Sequence, residues 1–393
     1  MMRSLLRPFA VLSMLTAVAC GSDPPPPPVA PAPEPPPPAP VAATPPPVEP
    51  VKAPEPTAEE KKKAEDLKRL QDDRAKMEEA AKAETARWTP EMHAEAKALT
   101  EKTFPNGKAA AQAAVAAKFR KPGNAARDKY RHPVETLAFL GVKPSSTVLE
   151  IGPGEGWYTE VLAPVVAKQG KLLVTSPDPN GPADSRATLG GQRIQAFLAT
   201  APELYGKVQP VIIDGKAPSL NLDGTVDVVL IMRGLHNMHN NGTLKTWLAE
   251  INKALKPNGV LGIEEHRAKA DGAVDETAKK GYMPEKWVIE QFEQNGFKLA
   301  GKSEVNANAK DTKDYPDGVW TLPPSFELKD KDHDKYAAIG ESDRMTLKFV
   351  KAPAPKTPGT AKPAGAKPAT PATPAKPATP ATPAKPATPP AKK

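Results

Sequence analysis

The sequence predicts an α/β fold, with a doubly wound and mostly parallel sheet of seven strands between proline-rich tails that are expected to be disordered. Two observations predict this fold. Short apolar runs alternate with helical segments over residues 105–351, and a glycine-rich turn joins the first apolar run to a helix. Many of the 50 prolines crowd instead into Pro24–Pro56 and Pro353–Pro390, and neither stretch has the apolar residues to bury a core.

Seven segments have the length and apolar character of strands. They are Thr147–Ile151, Lys171–Thr175, Val208–Ile213, Val226–Met232, Gly259–Glu264, Phe297–Val305 and Met345–Val350. Helices are predicted at Thr243–Leu255, whose apolar residues share one face, and at Pro284–Asn295, which starts with proline and precedes Gly296. We expect Pro164 to kink or shorten the helix that follows the glycine-rich turn.

The N-terminus has the features of a bacterial lipoprotein signal. Arg3 and Arg7 precede a short apolar run, Phe9–Val18, and small residues lead to Cys20, the single cysteine of the chain. We expect lipidation of Cys20 and membrane attachment through it. Because Gly21 follows, and not aspartate, the expected location is the cell envelope, at the outer membrane or periplasmic side and not in the cytoplasm. A chance cysteine in an ordinary signal peptide is the alternative.

Composition divides the chain into five parts. They are a signal peptide at 1–19, a proline-rich tether at 20–56, a charged helical spacer at 57–104, the α/β domain at 105–351 and a low-complexity tail at 352–393. The first helix of the spacer, Thr57–Arg87, has Glu and Lys at i,i+4 spacing and few apolar residues, which predicts a solvated helix. Thr89 and Pro90 predict the start of a second, shorter helix that ends near Lys102.

The net charge of +8 does not indicate a nucleic-acid partner. From Lys351 to Lys393 there are eight lysines and no acidic residue, so residues 1–350 carry 46 basic and 46 acidic side chains. A nucleic-acid-binding domain is expected to have a basic face on its folded part. We therefore expect a small-molecule partner and no nucleic acid, and the sequence leaves the oligomeric state open.

The glycine-rich turn is the most informative segment. Glu150, Gly152, Gly154 and Gly156 read E-x-G-x-G-x-G at the end of an apolar strand. Glycines allow a sharp turn and the close approach of a ligand, and the next helix directs its free N–H groups to the same space. A purely architectural turn is the alternative. The spacing differs from the G-x-G-x-x-G of nicotinamide or flavin enzymes and resembles motif I of the class I methyltransferases that use S-adenosylmethionine.

This resemblance implies a Rossmann-like fold and a set of cofactor contacts. Glu150 and the three glycines of the turn would hold the cofactor S-adenosyl-L-methionine. Asp178 would hold the ribose hydroxyls, although Ser176 takes the place directly after the strand, and Asp214 would lie near the adenine. Each of these acids is otherwise a loop acid or helix cap.

Further segments look like those of a group of bacterial predicted methyltransferases, over about residues 109–351. They are Ala125–Pro133, Gly262–Arg267, Val305–Pro323 and Gly340–Lys348. The resemblance implies the fold and the cofactor but no acceptor. Polar and aromatic residues near strand ends or in irregular segments are candidates to line the acceptor pocket, or else serve as structural ion pairs and edge packing: Arg127, Tyr130, Glu265, Trp320 and Arg344.

Two histidines follow neighbouring predicted strands, and we predict that they face the acceptor. His236 and His266 would lie near one another at the carboxyl edge, where either imidazole can act as a general base. A metal site that also includes His239 and Glu265 is the alternative, but we predict no metal.

The sequence therefore predicts methyl transfer to an O or N atom of a small molecule. Lipidation of Cys20, the single cysteine, would leave no thiol, which excludes enzymes that use a cysteine to methylate C5 of a pyrimidine. Arg-Gly-Leu-His-Asn at Arg233–Asn237 replaces the Asn/Asp-Pro-Pro-aromatic motif of DNA amino methyltransferases. A non-catalytic envelope module that binds a small ligand on the same fold is the alternative, because an exported domain is separated from cytosolic cofactor. A metal-dependent hydrolase ranks below both.

Overall fold

The computed structural model describes residues 57–352. The predicted signal peptide, Cys20, the tether and nearly all of the tail lie outside these residues. The strands are β1 Thr147–Ile151, β2 Lys171–Ser176, β3 Gln209–Ile212, β4 Val226–Met232, β5 Leu255–His266, β6 Phe297–Ser303 and β7 Arg344–Lys351. The α-helices are α1 Ala58–Arg87, α2 Pro90–Glu101, α3 Gly107–Val115, α4 Pro122–Ala125, α5 Asp128–Arg131, α6 Pro133–Leu140, α7 Trp157–Val166, α8 Arg186–Ala199, α9 Pro202–Tyr205, α10 Leu235–Asn240, α11 Leu244–Ala254, α12 Val274–Thr277, α13 Glu285–Gln294 and α14 His333–Ile339.

All seven strands form one sheet in the order β3-β2-β1-β4-β5-β7-β6. β7 is antiparallel to both of its neighbours, and every other adjacent pair is parallel. The strand order reverses between β1 and β4, which is where a doubly wound sheet binds its ligands. The predicted fold class is confirmed.

The central strands are buried on both faces because their apolar residues alternate between two cores. Val148 and Leu230 point to a core formed with α3, α6 and α7. Leu149 and Ile231 point to the opposite core, formed with α11 and α13. Helices on both sides remove water from these strands, as expected for a parallel sheet.

The strand predictions are confirmed, with exact agreement for β1 and β4. The main difference is β5, which begins at Leu255 instead of Gly259. The segment Lys256–Gly259 reads as a turn in the sequence, but Leu255 before it and Val260 after it pair with Val226 and Val228 of β4, so the strand continues across it through a register shift. Pro164 lies within α7, which ends two residues later at Val166, so the predicted early end is observed.

The N-terminal helix α1 is helical as predicted, yet it packs against the α/β domain. Its Arg74 donates to the Ala183 carbonyl at 2.9 Å, and Asp73 pairs with Arg186 of α8 at 2.9 Å. Leu70 is buried, while most of the helix is exposed. Residues 57–104 therefore belong to the same compact unit as the sheet and are not a free spacer. The second helix, α2, begins at Pro90 after a Thr89 cap, as predicted.

Within residues 57–352, none of the helices has the length and hydropathy that crossing a bilayer requires.

Candidate active site

The glycine turn adopts the backbone conformation that its sequence requires. Gly152, Gly154 and Gly156 have φ of +65°, +59° and +83°, a region that residues with a Cβ rarely occupy. A Cβ on Gly152 or Gly154 would meet no atom within 4 Å, so the space above the turn is open to a ligand. A Cβ on Gly156 would lie 2.4 Å from the Phe197 ring, so this glycine is required for packing as well.

Glu150 lies under the turn at the end of β1. Its side chain is buried, and Thr159 of α7 donates a hydrogen bond to Oε2 at 2.6 Å. Burial raises the pKa of Glu150 to about 7, against the opposing effects of the Thr159 hydrogen bond and the Arg233 charge. Oε1 has no hydrogen-bond partner among the described residues, which leaves one carboxyl oxygen for a ligand amine or hydroxyl.

Asp178 and Asp214 follow β2 and β3, at the same edge of the sheet as the glycine turn. Both side chains are exposed. Each accepts a hydrogen bond from the backbone two residues further on, Asn180 and Lys216, at 2.9 Å. These contacts orient the two loops and leave the carboxylates accessible to a ligand.

His236 and His266 lie close together, with ring centroids 5.9 Å apart, as their positions on neighbouring strand ends predicted. His236 is buried on α10, and its Nδ1 lies 3.1 Å from Oε1 of Glu265. The carboxylate selects the tautomer with a proton on Nδ1 and leaves Nε2 as the basic atom. Burial opposes protonation, but the Glu265 charge outweighs it and raises the pKa of His236.

His266 has the opposite electrostatic environment. Burial, followed by the charges of His236, Arg233 and Arg344, lowers its pKa well below the ordinary value. Nδ1 of His266 lies 2.5 Å from the Ser342 hydroxyl. A neutral imidazole with one nitrogen engaged in this way is suited to orienting a substrate.

The remaining predicted acceptor residues occupy three kinds of position. Trp320 is 38% exposed and lies edge-on to His236, with centroids 5.9 Å apart. Glu265 is fully buried beneath His236 and positions it. Tyr130 packs its ring against Gly340, where an added Cβ would come within 2.7 Å. Trp320 is therefore the member of this group with an exposed surface beside the histidines.

Arg127 and Arg344 meet at Glu341. Nε of Arg127 lies 2.5 Å from Oε1 of Glu341, and Nη1 of Arg344 lies 2.6 Å from Oε2. Arg344 is 1% exposed and also contacts Glu264 at 3.1 Å, whereas the Arg127 side chain is 22% exposed. Arg344 is thus held inside the network, and Arg127 has surface available to a ligand.

Sequence reasoning missed Arg233, the first residue after β4. Its φ is +57°, an uncommon value for a residue with a Cβ, and its N–H donates to the Glu264 carbonyl at 2.7 Å. Its guanidinium lies 3.3 Å from Glu264 Oε1 and 5.9 Å from the ring of Tyr158. The signal in the sequence was a cation placed directly at the end of an apolar strand.

His239 does not join the other two histidines. Its Nε2 pairs with Asp275 at 2.8 Å, and its ring packs on Trp287. Within the described part of the chain, no group of three His, Cys, Asp or Glu residues is arranged to hold a metal ion.

A cavity of about 300 Å³ lies beside the glycine turn, between α1 and α8. Gly154 and Glu155 form one wall, Met77 of α1 a second, and Arg193 and Phe197 of α8 a third. The N-terminal helix therefore contributes to the surroundings of the turn.

The comparisons with known proteins agree on the kind of domain. Residues 123–300 match the family model of a methyltransferase domain, over a little under half of the chain. The sheet order, the single antiparallel strand and this match identify the fold as that of the class I methyltransferases.

One curated relative is the ubiquinone/menaquinone biosynthesis C-methyltransferase UbiE of Hydrogenovibrio crunogenus. It is 31% identical over 135 residues, which are 34% of this chain, and the chain spans 46% of that protein's length. A methyltransferase from Aquifex aeolicus, described as SAM dependent, is 17% identical, with 60% of this chain and 96% of that one covered and a TM-score of 0.38. A Burkholderia thailandensis 1,6-didemethyltoxoflavin-N1-methyltransferase with bound S-adenosylhomocysteine is 16% identical, with 57% and 78% covered and a TM-score of 0.35.

Proposed function

We propose that this chain is an S-adenosylmethionine-dependent methyltransferase that acts on an O or N atom of a small molecule. The observation that carries the proposal is the open, left-handed glycine turn at the end of β1, within a segment that matches a methyltransferase domain. The bound cofactor supplies a methyl group on a sulfonium, which is already electrophilic. The protein needs mainly to position the acceptor and remove its proton.

The cofactor-binding residues are those around the turn. Gly152 and Gly154 leave room for the methionine part, and Glu150 has a carboxyl oxygen free to accept from an amine or hydroxyl. Asp178 and Asp214 are exposed at the next two strand ends and would accept hydrogen bonds from the ribose and the adenine. These acceptors and the open turn fit a nucleoside with an amino-acid side arm.

His236 is the proposed general base. Glu265 holds the proton on Nδ1, so Nε2 can take a proton from an acceptor hydroxyl as the methyl group is transferred, or from an acceptor ammonium before the transfer. The resulting imidazolium is stabilised by the same carboxylate. His266 stays neutral and orients the acceptor, and Trp320 offers an aromatic edge beside it.

Calorimetric titration of S-adenosylhomocysteine into the purified full chain tests the cofactor site. We expect micromolar binding that the Gly154→Val variant weakens at least tenfold, because a β-branched residue at φ +59° displaces the turn. Gly224→Val is the matched control. It has φ +64° and equally open space, but it precedes β4 at the opposite edge of the sheet.

Folded protein that binds no S-adenosylhomocysteine would contradict the proposal and favour the non-catalytic binding module. An equal loss of affinity in Gly154→Val and Gly224→Val would show that the weaker binding comes from general destabilisation of the fold and not from the glycine turn. Thermal unfolding of each variant shows whether it is folded at the titration temperature.

We also propose that Cys20, which lies outside the described residues, anchors the protein in the cell envelope. The support is the sequence pattern around the single cysteine. Labelling of cells with a fatty-acid analogue is expected to mark the wild-type protein and not Cys20→Ala. A labelled Cys20→Ala variant would refute the anchor.

A further inference from the structure

One ion-pair network at the carboxyl edge of the sheet contains more arginines than carboxylates. Its members are Arg127, Arg131, Arg233 and Arg344 with Glu264 and Glu341. The hydroxyl of Tyr158 also donates a hydrogen bond to Glu264. Burial raises the pKa of this hydroxyl, so Tyr158 is neutral and adds no negative charge to the network. Within ion-pair distance, four cations therefore share two anions among the described residues, and the Glu150 carboxyl acts on Arg233 without pairing with it.

The excess charge is largely buried. Glu264 is fully buried, Glu341 is 4% exposed, and Arg131 is 3% exposed. Nη1 of Arg131 has no hydrogen-bond partner within residues 57–352. Charges removed from water are normally paired, so a network with surplus cations is arranged for an anion that binds from outside.

Two arginines of the network have side chains that are partly exposed to solvent. The side chains of Arg127 and Arg233 are 22% and 19% exposed, and they come from different elements. Arg127 lies between α4 and α5, in the segment that covers Trp157 at the start of α7, and Arg233 ends β4. Arg127 and Arg344 both bond to Glu341, and Arg344 and Arg233 both contact Oε1 of Glu264. Arg344 and the two carboxylates therefore connect Arg127 to Arg233.

Arg233 lies three residues before the proposed base, His236, in the segment that follows β4. The Arg233 charge acts on both His236 and His266, and opposes protonation of each. Arg233 is also held at a positive φ by its hydrogen bond to the Glu264 carbonyl, which fixes its position at the switch in strand order. An anion bound to Arg233 would therefore lie within the site and not at a remote surface.

We propose that the methyl acceptor is a small carboxylate whose anionic group binds between Arg127 and Arg233, with its nucleophilic atom facing His236. This inference rests on the proposed methyltransferase function and specifies its substrate class. Guanidinium groups bind planar carboxylates through charge-assisted, often bidentate, hydrogen bonds. Trp320, exposed and edge-on to His236, offers an aromatic contact to the body of the acceptor.

The test compares carboxylates with their neutral amides, using the full chain saturated with S-adenosylhomocysteine. The probe pairs are benzoate with benzamide, phenylacetate with phenylacetamide and acetate with acetamide, titrated at constant ionic strength and followed by saturation-transfer NMR. We expect at least one carboxylate to bind about tenfold more tightly than its amide. Arg127→Gln and Arg233→Gln are each expected to remove this preference.

Two further variants distinguish loss of the anion site from loss of folding. Arg127→Lys and Arg233→Lys keep the charge beside Glu341 and Glu264, and they are expected to retain part of the preference. Arg186→Gln is the matched control, since this arginine is 59% exposed and pairs with Asp73 on the surface. It should leave the carboxylate preference unchanged.

The affinity for S-adenosylhomocysteine is measured on the same samples. If the glutamine variants lose cofactor affinity to the same extent as carboxylate preference, the arginines bind the cofactor's own carboxylate and the inference is overturned. The absence of any carboxylate preference in the wild type also overturns it. Failure of S-adenosylhomocysteine to bind would instead contradict the methyltransferase function. In that case the same probe pairs are titrated into the chain without cofactor, and a carboxylate preference there still measures the arginine site.

Discussion

Nδ1 of His236 lies 3.1 Å from Oε1 of Glu265, while Oε2 of the same carboxylate accepts the N–H of Leu235 at 2.6 Å. One buried side chain at the end of β5 thus holds both the start of α10 and the imidazole on it. This relationship fixes the ring orientation and leaves Nε2 as the atom that can exchange a proton with a ligand.

Glu265→Gln is expected to lower the pKa of His236 below its ordinary value, because burial is then no longer outweighed by a negative charge. NMR titration of the imidazole resonances, with His236→Asn for assignment, measures the shift. Asp275→Asn, which alters only the partner of His239, should leave the His236 titration unchanged. An unaltered His236 pKa in Glu265→Gln would contradict the role of the carboxylate.

The same pair predicts a pH-dependent stability. A raised pKa in the folded state means that protonated His236 stabilises the fold below its unfolded pKa, and that this contribution is lost as the pH rises through the folded pKa. The Glu265→Gln substitution should therefore lower the free energy of unfolding, relative to wild type, by a larger amount at about pH 5 than at about pH 9. Urea unfolding at the two pH values checks the sign.

Glu150→Gln is expected to stabilise the protein above neutral pH and to weaken cofactor binding. The folded pKa of about 7 lies above the ordinary glutamate pKa of 4.5. The stability that the protonated carboxyl contributes is therefore complete below the ordinary pKa and is lost as the pH rises through the folded pKa. The gain in Glu150→Gln should reach on the order of 3 kcal/mol above the folded pKa. It should vanish in acid.

Thermal unfolding as a function of pH measures this gain. Glu155→Gln is the control, since Glu155 is exposed in the same turn. Identical pH profiles for wild type and Glu150→Gln would show that Glu150 ionises freely in the folded state, which would contradict the prediction. Calorimetry with S-adenosylhomocysteine should show weaker binding to the glutamine variant, because the neutral amide has one acceptor oxygen in place of two and accepts more weakly than a carboxylate.

Gly156→Ala is expected to destabilise the fold by about 2 kcal/mol more than Gly152→Ala. Both glycines have positive φ, so the backbone strain is similar, but only at position 156 does the added methyl group collide with Phe197. Urea unfolding measures the difference. In a Phe197→Ala background the two alanine variants should become equally stable, and a persisting difference would point to backbone strain as the cause.

Leu70→Ala is expected to lower the free energy of unfolding by about 2 kcal/mol, because Leu70 is the buried residue of α1. Leu67→Ala, one turn away and 44% exposed, should change it very little. Chemical denaturation of the full chain measures both. Equal, negligible effects would mean that α1 is a detached spacer, as its composition alone suggested.

Local patterns were sufficient for the strands and for the glycine turn. The ends of β1 and β4 agree with prediction because each is a short apolar run bounded by turn residues. The start of β5 was predicted four residues late, since Pro257 and Gly259 read as a turn and the pairing that extends the strand is a long-range contact. The packing of α1 was missed because it depends on a single buried leucine and a few polar contacts.

By itself, the sequence determined the fold class, the glycine turn with Glu150 beneath it, and the proximity of His236 and His266, since these follow from periodicity and from the parallel arrangement of neighbouring strands. Only the tertiary structure decided how Arg233 and Arg344 enter the site. Because β7 is antiparallel, its first residue pairs with His266 at the carboxyl edge, and Arg344 meets Glu264 from a position 80 residues further along the chain. Such charge pairs depend on strand order and register, which no local pattern encodes.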